Sequence, residues 1–138
     1  MENESTLQSL IHDFALLPRR KVLVHGGGRS ATRIATQLGI ESQMVGGRRI
    51  TDSAMLDVVT MVYGGLVSKL LVALLQAEGV NALGLTGADM DVIRSHKRPL
   101  KKMTLDDGAQ QMVDFGWVGD VDRADGARLH SLVESGVV

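Results

Sequence analysis

The sequence contains no cysteine. This excludes a disulfide scaffold, a thiol nucleophile and any Cys-ligated zinc or iron–sulfur centre. Aromatic residues are scarce: Phe14, Tyr63, Phe115 and Trp117. The core must therefore be built from Val, Leu, Ile, Met and Ala. No charge of one sign dominates, with 15 Lys+Arg against 16 Asp+Glu and a formal net charge of -1. A globally basic nucleic-acid binder is excluded. The N-terminus has no cationic start followed by an apolar run, so no targeting segment is expected. The most apolar stretch, Met55 to Leu75, carries Asp57 and Lys69 and is not read as a membrane span. The expected compartment is the cytoplasm.

What is present describes an ordinary globular chain. Its 138 residues fit one domain over 1–138, with 44% hydrophobic and 22% charged residues. Glycine is abundant, with 16 in the chain, above the usual share of about 7%.

Leu7, Leu10, Ile11 and Phe14 form an amphipathic stripe, capped by Ser5 or Thr6 and ended by Pro18. Lys21–His25 reads as a short buried strand running into Gly26-Gly27-Gly28. Ser30 could cap a second helix to about Leu38. Gln43–Ile50, interrupted by Gly46-Gly47, predicts a hairpin. After a cap at Thr51 or Asp52, Met55, Val58, Val59, Val62, Leu66, Leu70 and Leu74 lie on one helical stripe, with a kink or break expected at Gly64-Gly65. Val80–Leu85 reads as a strand and Val92–Ser95 as a further one. His96–Gln111 has no clear period. Phe115–Val121 reads as a strand, Asp125 caps a last helix to about Glu134, and Gly136-Val137-Val138 as entry to another strand. Strands alternating with helices predict an α/β fold with a mostly parallel sheet covered on both faces.

Chemistry is expected first at Gly26-Gly27-Gly28. Glycines between a strand and a helix let backbone N–H groups approach one anion closely, and the helix N-terminus adds positive partial charge. Arg19, Arg20, Lys21, Arg29, Arg33, Arg48 and Arg49 face a single acid, Glu41, in this region. The alternative is a glycine turn needed only for tight packing. The stretch also fits G-x-G-x-x-A, but the acidic residue a dinucleotide site needs is replaced by Arg48 and Arg49. The second candidate is the arginine pair itself, since a guanidinium fork suits a carboxylate; taken alone, it reads first as a solvated hairpin tip with two surface arginines. The third is Thr86-Gly87-Ala88-Asp89, a ligand loop or a plain turn. The basic run Arg94, His96, Lys97, Arg98, Lys101, Lys102 lacks interleaved aromatics and reads as a solvated face. The histidines show no metal-ligand spacing, and no metal is expected on them.

Four stretches together carry a resemblance: His25-Gly26-Gly27-Gly28, Gly47-Arg48-Arg49-Ile50-Thr51-Asp52, Val80 to Asp89, and Gly116 to Val121. They resemble the acetylglutamate kinases of the amino acid kinase family, in order over nearly the whole chain. The resemblance implies an αβα sandwich and phosphoryl transfer from ATP, with Mg2+, to the side-chain carboxylate of N-acetyl-L-glutamate in arginine biosynthesis. It implies substrate binding by Gly27, Gly28 and Arg49, with Gly26 and Gly27 near the transferred phosphoryl group. Gly46 stands where the family usually has asparagine. The helix at Met55–Leu74 resembles the family's dimer helix, which implies a homodimer. The family's first strand, with its K-x-G-G lysine, and its nucleotide lobe find no counterpart here, so no catalytic residue is assigned. The chain is expected to be the N-terminal acylglutamate-binding portion, inactive or nearly so alone, with a gap or unpaired edge in its sheet that makes it self-associate or only marginally stable. The alternative is a non-catalytic acylamino-acid-binding or oligomerising module of the same fold. Another carboxylate or carbamate kinase of the superfamily comes next.

Overall fold

The computed structural model describes residues 4–18, 20–104 and 108–138. Arg19, counted above among the cations, lies outside them.

Helix α1 spans Glu4–Leu16 and buries Leu7 and Ile11. Its open carbonyl end is capped by Lys21, whose Nζ donates to the oxygens of Phe14, Ala15 and Leu17 at 2.8, 2.8 and 3.0 Å. Helix α2 spans Gly28–Gln37, one turn earlier than a Ser30 cap predicts. Gly27 is the residue that precedes the first turn, and Ala31 N donates back to its oxygen at 2.8 Å. The hairpin forms as expected from β1 (Met44–Val45) and β2 (Arg48–Arg49), paired antiparallel. Gly46 and Gly47, both at positive φ, form the tight two-residue turn that other residues resist.

Asp52 caps α3 (Ser53–Val59), its Oδ1 accepting from Met55 N at 2.8 Å. The helix does not break at Gly64-Gly65. It passes through a π-helical segment, Thr60–Val67, and continues as α4, Ser68–Ala77. Two mid-helix glycines cost roughly 1 kcal/mol each. Fully burying one aliphatic side chain is worth about 1.5–3 kcal/mol, and this helix buries several, so continuity wins. The π turn holds an extra residue, and the buried stripe moves with it. Met55, Val58 and Val62 are buried as predicted, but the next buried positions are Val67, Leu71 and Leu75. Leu66 and Leu70, expected inside, are 51% and 41% exposed. The 25 residues of Ser53–Ala77 are long and apolar enough to cross a bilayer, despite Asp57 and Lys69. Here they form the core helix, packed with Leu7, Ile11, Ala31 and Ala35.

The expected strands at 21–25 and 80–85 are extended but form no ladder. Among the described residues, no backbone hydrogen bond joins 21–26 to another segment. Leu83 N donates to Val138 O and Val138 N to Asn81 O, at 2.7 and 2.9 Å, the pattern of a short parallel pairing. Parallel pairing recurs at the bridge between Thr51 and Gly116. A strand needs a partner on its ladder, and between Val22–His25 and Ala82–Gly87 lies a cleft of about 430 Å³ instead. Neither segment belongs to any of the two-stranded sheets among the described residues.

The remaining strands are antiparallel ribbons. β3 (Ile93–Lys97) pairs with β6 (Gly119–Ala124), and β4 (Lys101–Thr104) with β5 (Gln110–Val113). Phe115, between β5 and β6 in the chain, is fully buried. Asp125 caps α5 (Gly126–Glu134), accepting from Arg128 N at 3.1 Å.

Candidate functional site

Because α2 begins at Gly28, the first amides of the helix have no intrahelical acceptor. Gly26–Ser30, Arg33 and Val67 border an open cavity of about 710 Å³ at this helix start. The loop lies close to its support: a Cβ on Gly27 would stand 2.7 Å from Tyr63 Cδ1 and 3.4 Å from Val67 Cγ2. Only glycine fits there, for reasons of space rather than of φ.

Arg49 reaches this loop from the hairpin. Its Nη2 donates to Gly28 O at 3.1 Å and to Thr32 Oγ1 at 2.8 Å, and its Nη1 donates to Ser42 Oγ. Thr32 Oγ1 itself donates to Gly28 O at 3.0 Å. The guanidinium thus sits on the flank of the first turn of α2, beside the cavity rather than in its lining. Of the residues named from the sequence, the structure brings Arg49 onto Gly28, and Gly26, Gly27 and Gly28 line the cavity beside it. Sequence reasoning missed Thr32 and Ser42, which hold the arginine, and Tyr63, which backs the glycines. The signal for Tyr63 was its position as the lone ring beside Gly64-Gly65 in an aliphatic helix.

The other candidates make contacts of their own. Asp89 turns back on its own loop, accepting from Thr86 N at 2.6 Å and Thr86 Oγ1 at 2.7 Å. The backbone bond first, then the hydroxyl, holds its carboxyl below the usual carboxylate value. Four members of the basic run are paired: Arg94 with Asp91, His96 with Asp122, Lys97 with Asp114 and Arg98 with Asp120. The Arg98 hydrogen bond lowers the Asp120 pKa, and the same bond raises that of Arg98. His25 borders the open cleft and is exposed.

The amino acid kinase family model matches residues 1–138. The chain is 62% identical over its whole length to the acetylglutamate kinase of Bacteroides fragilis, covering 49% of that protein. It is likewise 62% identical to that of Bacteroides thetaiotaomicron, covering 50%. It spans about half the length of these curated relatives. Among solved structures, smu.665 from Streptococcus mutans superimposes over 96% of this chain and 48% of its own, with TM-score 0.68 and 21% identity, a likeness of fold. The chain belongs to the amino acid kinase family.

Proposed function

We propose that this chain is the acylglutamate-binding portion of an acetylglutamate kinase, a single domain over 1–138. The observation that carries this reading is Arg49 fastened to Gly28 at the open amide end of α2. An N-acylglutamate offers two carboxylates, and the loop region offers two kinds of anion donor. Arg49 is assigned the α-carboxylate, for which its guanidinium exchanges its contacts to Gly28, Thr32 and Ser42. The amides of Gly27 and Gly28 take the side-chain end, with Gly26 and Gly27 nearest the phosphoryl group.

In the whole enzyme, the side-chain carboxylate oxygen attacks the γ-phosphorus of ATP. The β–γ bridging P–O bond breaks, giving an acyl phosphate and ADP. Such transfers depend on positioning and on stabilising charged oxygens. Backbone amides fixed by a helix start and backed by a ring supply both for one partner. ATP is the phosphoryl donor in this reading, and no residue described here is assigned to it. No group of three or more His, Asp or Glu among the described residues could hold a metal ion, so no Mg2+ step is assigned to this chain. Cytoplasmic placement follows from the biosynthetic role.

The exposed Met61, Leu66 and Leu70, on the outer side of the long helix, support a homodimer through that helix. The function is tested by calorimetric titration with N-acetyl-L-glutamate and by an acyl-phosphate assay with ATP. Saturable binding with turnover far below ordinary kinase rates is expected. Absence of binding, or full kinase turnover by this chain alone, contradicts the reading.

A further inference from the structure

The π-helical segment Thr60–Val67 lies under both loops that leave the extended segments. On one side Tyr63 and Val67 meet the position of a Gly27 Cβ; on the other Thr86 Cγ2 stands 3.2 Å from that of Gly64. Just beyond, Ser68 Oγ occupies the space a Gly84 Cβ would need. Tyr63 and Val67, four residues apart and so on one face of the helix, both meet the glycine loop, while Val62 stays in the core. Such π turns often occur at functional sites.

Tyr63 does more than fill space. Its ring edge, Cδ1 and Cε1, runs along Gly27, and its hydroxyl lies 3.8 Å from where a Gly28 Cβ would stand. The ring contour therefore sets how deep Gly27 sits. Gly27 is the residue before the first turn of α2, so its depth sets where the N–H groups of Gly27 and Gly28 sit. We propose that Tyr63 is a positioning residue for substrate: its ring is the backstop that holds Gly27 and Gly28 at the height where their amides grip an acylated amino-acid carboxylate. This rests on the function proposed above. The ring, not the hydroxyl, is the working part.

The test is a set of variants of the 138-residue chain, titrated calorimetrically with N-acetyl-L-glutamate and melted in parallel: Tyr63→Phe, Tyr63→Leu, Gly27→Ala and Gly27→Ala/Tyr63→Leu. Tyr63→Phe keeps the contour and is expected to bind within about twofold of wild type. Tyr63→Leu, narrower, is expected to bind at least about tenfold more weakly, with a melting temperature close to that of Tyr63→Phe. Gly27→Ala is expected to lose affinity and melting temperature together, and Tyr63→Leu to restore part of both, because it vacates the space the new Cβ needs. Three results overturn the inference while wild-type binding stands: Tyr63→Leu binding like wild type, Tyr63→Phe losing as much as Tyr63→Leu, or additive losses in the double variant. If wild type itself does not bind, the functional reading falls, and the substrate role of Tyr63 falls with it; the melting temperatures of the same four variants then still decide whether the ring backs Gly27.

Discussion

Arg49 donates from Nη2 to the carbonyl oxygen of Gly28 at 3.1 Å, tying a two-stranded hairpin to the start of α2 across 21 residues of chain. The same nitrogen reaches Thr32, while Nη1 reaches Ser42. One guanidinium therefore links the hairpin to two points on the first turns of α2 and to the Ser42 side chain. Lysine has one nitrogen and cannot span them. Arg49→Lys is expected to weaken N-acetyl-L-glutamate binding by about tenfold or more. These bonds are largely solvent-exposed, so the stability cost is expected to be within about 1 kcal/mol. Calorimetry beside a thermal melt measures both. Unchanged affinity would point to a carboxylate kinase that does not use this arginine.

Gly116 joins the ribbon to the helical half. It sits at φ +71, and Thr51 N donates to Phe115 O while Trp117 N donates to Thr51 O, at 2.9 and 2.7 Å. A Cβ at Gly116 would collide with the Thr51 carbonyl. Left-handed strain and the clash act together, so Gly116→Ala is expected to cost about 2–4 kcal/mol. Urea unfolding checks this; a loss under 0.5 kcal/mol, taken as about the size of an ordinary surface change, contradicts the tether.

The outer face of the long helix carries Met61, Leu66 and Leu70 with more than 40% exposure each. If this face is shared between two copies, Leu66→Glu/Leu70→Glu is expected to shift the chain from dimer to monomer in light scattering while leaving its helical circular dichroism unchanged. A wild-type chain that is monomeric at every concentration contradicts the homodimer.

Asp89, Asp114, Asp120 and Asp125 all have pKa values below the ordinary one. The first cause is a backbone N–H for Asp89, Asp114 and Asp125, and the Arg98 side chain for Asp120. A carboxyl whose folded pKa is depressed contributes stability that is present above its unfolded value and lost as pH falls through its folded one. Stability is therefore expected to hold above about pH 4 and to decline below it. Asp89 and Asp114 are exposed and Asp120 and Asp125 half-buried at the surface, so each contribution is small and weakened by salt. Urea midpoints at low salt check the sign; a midpoint that rises from pH 5 to pH 3 contradicts it.

Much of this was legible in the residues. The caps at Asp52 and Asp125 and the Gly46-Gly47 turn are local chemistry, and local chemistry reads directly. The helical stripe was legible only as far as Val62, because a fixed 3.6 period cannot anticipate an added residue in a π turn. Lys21–His25 has a strand's composition, but a strand is completed by a neighbour, which no single segment encodes. The β4–β5 ribbon was missed because Lys101, Lys102, Gln110 and Gln111 are exposed and show no apolar alternation. At the site, the glycines and Arg49 were visible as residue types suited to an anion. Their supports were not, since Thr32, Ser42 and Tyr63 have roles only once three elements meet.

The most direct measurement is an amide-resolved NMR titration of the chain with N-acetyl-L-glutamate. Saturable shifts centred on Gly26–Ser30 and on the Arg49 side chain, abolished by Arg49→Ala, are the predicted result. A spectrum that does not move, or one that moves only around the 430 Å³ cleft, contradicts the account.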